Sequence, residues 1–110
     1  MNYSILPTPL FKKQVKRLIK KYRSLKNELA QFESDISVNP SLGTNIGNNT
    51  YKIRLAVESK GKGKSGGVRI ITYTVTKQLE VYLLTIYDKS EMENIDSKTL
   101  KLLISEVSPK

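Results

Sequence analysis

Apolar positions recur along the chain with two periods, and each change of period marks an element. Phe11, Val15, Leu18, Ile19 and Tyr22 keep helical spacing and form one stripe. Thr8-Pro9 supplies a cap and a proline suited to the first helical position. Leu25, Leu29, Phe32 and Ile36 mark a second helix, capped by Ser24 and closed by Asn39-Pro40. The two helices are expected to form an antiparallel hairpin. Residues 41–50 are rich in Gly, Asn, Ser and Thr and read as loop.

Alternation then takes over. Tyr51, Ile53, Leu55 and Val57 fall on one face of a strand, with Lys52, Arg54 and Ala56 on the other. A basic glycine-rich loop over residues 60–67 leads to a second strand, where Arg69 shares a face with Ile71 and Tyr73. Residues 79–87 are nearly continuously apolar, the pattern of a central strand covered on both faces. Tyr3 to Leu6 reads as an edge strand. Ser90 and Glu93 have capping-box spacing, and Leu100, Leu103, Ile104 and Val107 mark a final helix. The predicted order is β-α-α-β-β-β-α. The fold class is α+β, a helical hairpin and a C-terminal helix packed on an antiparallel sheet, in one domain over residues 1–110.

Charge changes this picture most. The 110 residues carry 19 Lys and Arg against 10 Asp and Glu, a formal net charge of +9. Such a balance favours anionic partners: nucleic acid, an acidic protein or an anionic membrane surface. No Cys is present, which excludes disulfides and thiolate metal sites, and no His, which removes the commonest general base and metal ligand. Catalysis would have to use Lys, Arg, Tyr or carboxylates. The acids at 88, 91, 93 and 96 are explained by capping, so no metal site is expected. No apolar run approaches the ~20 residues of a bilayer span. The N-terminus lacks the charged start and apolar core of a signal peptide, so a cytoplasmic protein is expected.

Four candidate features follow. The Lys60–Gly67 loop resembles a phosphate-binding loop, but Glu58 stands where that motif needs glycine and a strand follows where it needs a helix. Lys60, Lys62 and Lys64 are instead candidates for gripping a nucleic-acid backbone, against the plainer reading of a solvated hairpin loop. Lys52, Arg54 and Arg69 would converge on one sheet face if their strands pair, with Lys89 as a fourth member. Like charges brought together across a sheet repel, and a phosphodiester would offset that cost. Tyr73 and Tyr87 are candidates for base stacking, although tyrosine is also an ordinary strand residue. The first helix carries Lys12, Lys13, Lys16, Arg17, Lys20 and Lys21 with no acid between Leu10 and Lys26. That is either a solvated face or a surface for RNA or an acidic protein.

Tyr51-Lys-Ile-Arg-Leu, residues 62–73 (Lys-Gly-Lys-Ser-Gly-Gly-Val-Arg-Ile-Ile-Thr-Tyr) and residues 83–91 (Leu-Leu-Thr-Ile-Tyr-Asp-Lys-Ser-Glu) resemble the RelE/ParE superfamily of bacterial toxins, nearest its HigB-type branch. The likeness runs over essentially the whole chain. It implies the toxin of a type II toxin–antitoxin pair, a ribosome-dependent mRNA endoribonuclease acting in the ribosomal A site without cofactor or metal. It also implies catalytic roles for Lys52, Arg54, Arg69 and Lys89, with Lys52 as candidate general base and the two arginines clamping phosphate. A tyrosine that some members carry in the C-terminal helix region is matched here by Ile95. The implied partner is a cognate antitoxin, often a helix-turn-helix protein, through which the pair reaches operator DNA. The superfamily's ParE branch poisons DNA gyrase, so gyrase inhibition and non-catalytic RNA or ribosome binding stay open as alternatives.

Overall fold

In the computed structural model, which describes residues 2–61 and 63–108 and only the backbone of Lys64 and Ser65, helices cover both faces of one five-stranded sheet. The strands are β1 (Ser4–Pro7), β2 (Thr44–Gly47), β3 (Thr50–Leu55), β4 (Val68–Val75) and β5 (Glu80–Asp88), in the spatial order β1-β5-β4-β3-β2. Helices α1 (Pro9–Lys21) and α2 (Leu25–Val38) cover one face, and α3 (Ser97–Val107) covers the other.

Each helix forms where its stripe and caps predict, with informative exceptions. The Thr8 hydroxyl accepts from Phe11 N at 3.2 Å, capping α1 beside Pro9. The same hydroxyl donates to the carbonyls of Leu83 and Leu84, at 3.0 and 3.1 Å. It thus ties the start of α1 to β5 where β1 stops. Gln14 continues the task, its side-chain oxygen accepting from Ile86 N and the Thr85 hydroxyl, both at 3.0 Å. These bonds satisfy an edge that no further strand covers. Ser24 stands at the α2 cap position, but its hydroxyl does not cap; it bonds Glu28 and Ser59 instead.

Three sequence expectations are corrected. Residues 44–47 form an edge strand, β2, rather than loop, joined to β3 through Asn48 and Asn49, whose φ angles are 53° and 59°. Two consecutive left-handed residues make a hairpin turn whose twist suits antiparallel strands. The sheet is mixed rather than antiparallel, because β1 pairs parallel with β5, Ser4 opposite Glu80 through Pro7 opposite Leu83. Finally, the last helix begins at Ser97. Asp96 caps it by accepting from Thr99 N at 2.8 Å, while the hydroxyl and backbone N–H of Ser90 both donate to Asp88.

Strand β5 is central, as its composition requires. Val81, Leu83 and Ile86 enter the main core with Phe11, Leu18, Leu25, Leu29, Phe32 and Ile36. Leu84 and Tyr87 enter a smaller core with Ile71 and Tyr73 beneath α3. The ladder between β4 and β5 shifts between Ile71 and Thr72, leaving Leu84 as the extra residue of a bulge. No helix among the described residues is long and apolar enough to cross a membrane.

Candidate active site

Pairing of β3 with β4 fixes the site. Its register sets Arg54 opposite Arg69 and Lys52 opposite Ile71. Residues directly opposite share a face, so Arg54 and Arg69 lie side by side, with Lys52 two residues along on the same face. Ile53 packs against α1 and α2, which turns Lys52 and Arg54 toward the α3 side. Gly67, just before β4, permits this approach. A Cβ there would overlap the carbonyl oxygen of Leu55, which ends β3.

The three cations differ in setting. Arg54 is exposed, Lys52 half-buried and Arg69 only 4% exposed. Arg69 donates to the Val68 carbonyl at 3.3 Å. Burial, and then the charge of Arg54, lower its pKa from the usual guanidinium value, and Tyr87 opposes them. Even so, a guanidinium keeps its charge near neutral pH. Lys52 Nζ donates to the side-chain oxygen of Asn94 at 3.2 Å. Among the described residues no carboxylate forms a salt bridge with Lys52 or Arg54. A cleft of about 260 Å³ opens beside Lys52, lined by Ile46, Tyr87, Asn94, Ile95, Ser97 and Leu100. It runs between the sheet and the segment that leads into α3.

Lys89 follows β5. Its backbone N–H donates to the Gly67 carbonyl at 3.1 Å, setting it beside the start of β4. Its ammonium lies 3.8 Å from Glu93, a carboxylate 82% exposed, so solvent screens that pair.

The remaining expected residues separate from this group. Lys60 does not project from a mobile loop. Its side chain is 7% exposed and its ammonium bonds Asp88, a fully buried carboxylate that also accepts from the Tyr22 hydroxyl, Lys21 and Ser90. The Glu58–Lys60 turn is itself pinned to α2, with Glu58 N donating to Glu28 at 2.7 Å and Ser59 N to Ser24 at 2.9 Å. Residues Gly63–Gly66 form a single helical turn rather than an open loop. Lys62 and the Lys64 side chain lie outside the described residues. Tyr73 and Tyr87 are 8% and 4% exposed and pack within the core under α3. Their rings are covered, which removes the free faces that base stacking needs. Burial raises the Tyr87 pKa, opposed by Arg69 and by the Ile95 backbone.

Asn94 is the residue that reading the sequence missed. It sits in an exposed stretch without periodicity, and only the three-dimensional approach of the segment before α3 brings it to Lys52.

A protein-family model described as "RelE toxin of RelE / RelB toxin-antitoxin system" matches residues 9–107. The fold is similar to that of a mutant of the Escherichia coli toxin RelE in the free state, with two arginines replaced by alanine. The TM-score is 0.61, with 13% identity over 97% of this chain and 99% of that one. It is similar also to the isolated E. coli RelE toxin in a P21 crystal form, with TM-score 0.56 and 13% identity over 96% and 98% of the two chains. At that identity the structures speak for the fold, and the family match spans most of the sequence. The chain therefore belongs to the RelE toxin family of toxin–antitoxin systems.

Proposed function

We propose that this toxin is a ribosome-dependent mRNA endoribonuclease that stops translation. The observation that carries the reading is the Arg54–Arg69 pairing, with Lys52 on the same face beside a cleft. Arg54 offers an exposed guanidinium for a phosphodiester, and Arg69, buried directly opposite it, adds positive charge behind that contact.

In the proposed reaction the message's own 2′-oxygen attacks the adjacent phosphorus. The new 2′-O–P bond forms as the P–O5′ bond breaks, leaving a 2′,3′-cyclic phosphate and a 5′-hydroxyl. Lys52 takes the 2′-hydroxyl proton, and Lys89 gives a proton to the departing 5′-oxygen. Arg54 holds the non-bridging oxygens as charge grows on them, and Arg69 behind it stabilises that charge through its field. Asn94 orients Lys52. General acid–base assistance of this kind contributes about 10²- to 10⁴-fold. The larger share falls to positioning, which a ribosome supplies by holding the message in one conformation.

The HigB-type placement is part of the same proposal, supported by the segments around 51–55, 62–73 and 83–91, and so is an antitoxin partner with a helix-turn-helix domain. The test is a reconstituted translation reaction with message ends mapped. Wild-type protein should cut only when ribosomes are present, giving 5′-hydroxyl ends. Efficient cutting of naked RNA, or a translation block without new ends, would sink the ribosome-dependent nuclease reading.

A further inference from the structure

The strongest positive surface lies away from the cleft. Helix α1 packs Phe11, Val15 and Leu18, with Tyr22 just beyond its end, toward the core on the sheet face opposite Arg54 and Arg69. Its outer side carries two rows at four-residue spacing, Lys12-Lys16-Lys20 and Lys13-Arg17-Lys21, all exposed. Each step is about 6 Å along the axis. The rows are not equivalent. Arg17 and Lys21 are held by Glu91, at 2.8 and 3.7 Å, and Lys21 also by Asp88 at 3.3 Å. Among the described residues, Lys12, Lys16 and Lys20 take part in no salt bridge.

This arrangement works against the helix. Like charges four apart repel, and the first turn holds no acid to meet the positive helix terminus. Lys12 and Lys13 sit near that terminus, where cations are least welcome. An anion along the row would offset these costs.

The chemistry of the row selects among anions. Protein interfaces centre on buried apolar or aromatic side chains and are depleted in lysine. The outer side of α1 offers exposed lysines, and the apolar residues that flank the row, Val15 and Ile19, are half-buried rather than presented to a partner. Lysines act as point charges and suit contact with a phosphate backbone irrespective of sequence.

We infer that the Lys12-Lys16-Lys20 row is a second nucleic-acid surface, binding the phosphate backbone of folded RNA independently of the cleft. The choice of RNA rests on the proposed function, whereas the phosphate contact does not. A message in the cleft and a folded RNA on α1 would then meet opposite sides of the sheet.

The test measures binding of a 2′-O-methylated RNA hairpin, which the proposed chemistry cannot cleave, by fluorescence anisotropy across a salt titration. The variant K12Q/K16Q/K20Q is compared with K77Q/K98Q/K101Q, which removes three other exposed lysines and leaves the same net charge. Loss of three phosphate contacts should flatten the slope of log affinity against log salt by about 2 to 3, and weaken binding on the order of a hundredfold near 0.1 M salt. K12R/K16R/K20R should keep the wild-type slope, and circular dichroism should report an unchanged fold for all three. An unchanged slope in the row variant overturns the inference, as does an equal loss in the charge-matched control. Weakened binding to poly-L-glutamate with RNA binding intact would reassign the surface to an acidic protein. Cleavage can fail while this binding persists, so the two readings are separable.

Discussion

Two clusters of cations flank the same sheet, and a single carboxylate separates their roles. On one side, Lys60 and Lys21 converge on Asp88, which is wholly buried and also accepts from Tyr22 and Ser90. On the other, Lys52, Arg54 and Arg69 share one face, and among the described residues no carboxylate forms a salt bridge with Lys52 or Arg54. Lys52 and Lys60 look alike in sequence, each a lysine near a strand end. The first keeps its ammonium at the edge of a cleft, and the second spends its charge inside the domain. Basic residues near an expected nucleic-acid site therefore divide by whether the fold has already supplied their counter-ion.

This contrast can be broken from either side. Asp88→Ala should have the largest effect on stability, because it leaves the Lys60 ammonium and the Tyr22 hydroxyl buried without their acceptor. Breaking such a pair costs about 3–5 kcal/mol, read from urea unfolding. A loss below ~1 kcal/mol would mean the network is not structural.

Arg54→Ala and Lys52→Ala should do the opposite. Ribosome-dependent cleavage should fall about 10²- to 10⁴-fold. Stability should hold or rise slightly, since relief of repulsion across a strand pair is worth about 0.2–1 kcal/mol. Arg69→Ala is a poorer probe, because that side chain is buried and its removal also disturbs packing. If Arg54→Ala unfolds the protein as severely as Asp88→Ala, the two clusters do not differ in kind.

Acid sharpens the comparison further. Burial pushes the Asp88 carboxyl up, but hydrogen bonds from Lys60, Tyr22 and Ser90 outweigh it and hold the group well below the usual carboxylate range. Between the unfolded value near 3.9 and the lower folded one, the unfolded chain binds more protons. Stability should therefore be fully present above about pH 5 and decline progressively below about pH 4. Asp88→Asn should flatten that decline. A variant with the wild-type acid profile would assign the loss to other carboxylates.

The smallest effect is expected at the surface. Arg17→Ala removes an exposed bidentate pair with Glu91, and its melting temperature should be indistinguishable from wild type.

Much of this contrast was legible in the sequence, though not its division. Alternation through 51–57 and 68–73 was enough to bring Lys52, Arg54 and Arg69 to one face, because side-chain direction in a strand is local. The pairing of Lys60 with Asp88 spans 28 residues and depends on how the Glu58–Lys60 turn is pinned to α2, so no local pattern encodes it. The parallel docking of β1 is likewise tertiary. Strand β2 hid for another reason: all of its residues are exposed, so it has no apolar alternation to reveal it. Its one signal was the Asn48-Asn49 pair, which tolerates left-handed backbone. The late start of α3 came from two rival caps, and Asp88 drew the hydroxyl of Ser90 away from a helix.

Gly67 carries a consequence for how such a toxin can vary. Its missing side chain is what lets the chain enter β4 against the Leu55 carbonyl at the end of β3. Even a methyl group there would act as a wedge between the two strands that carry Arg54 and Arg69, with both arginines still in the sequence. A mutational survey confined to charged positions would overlook it.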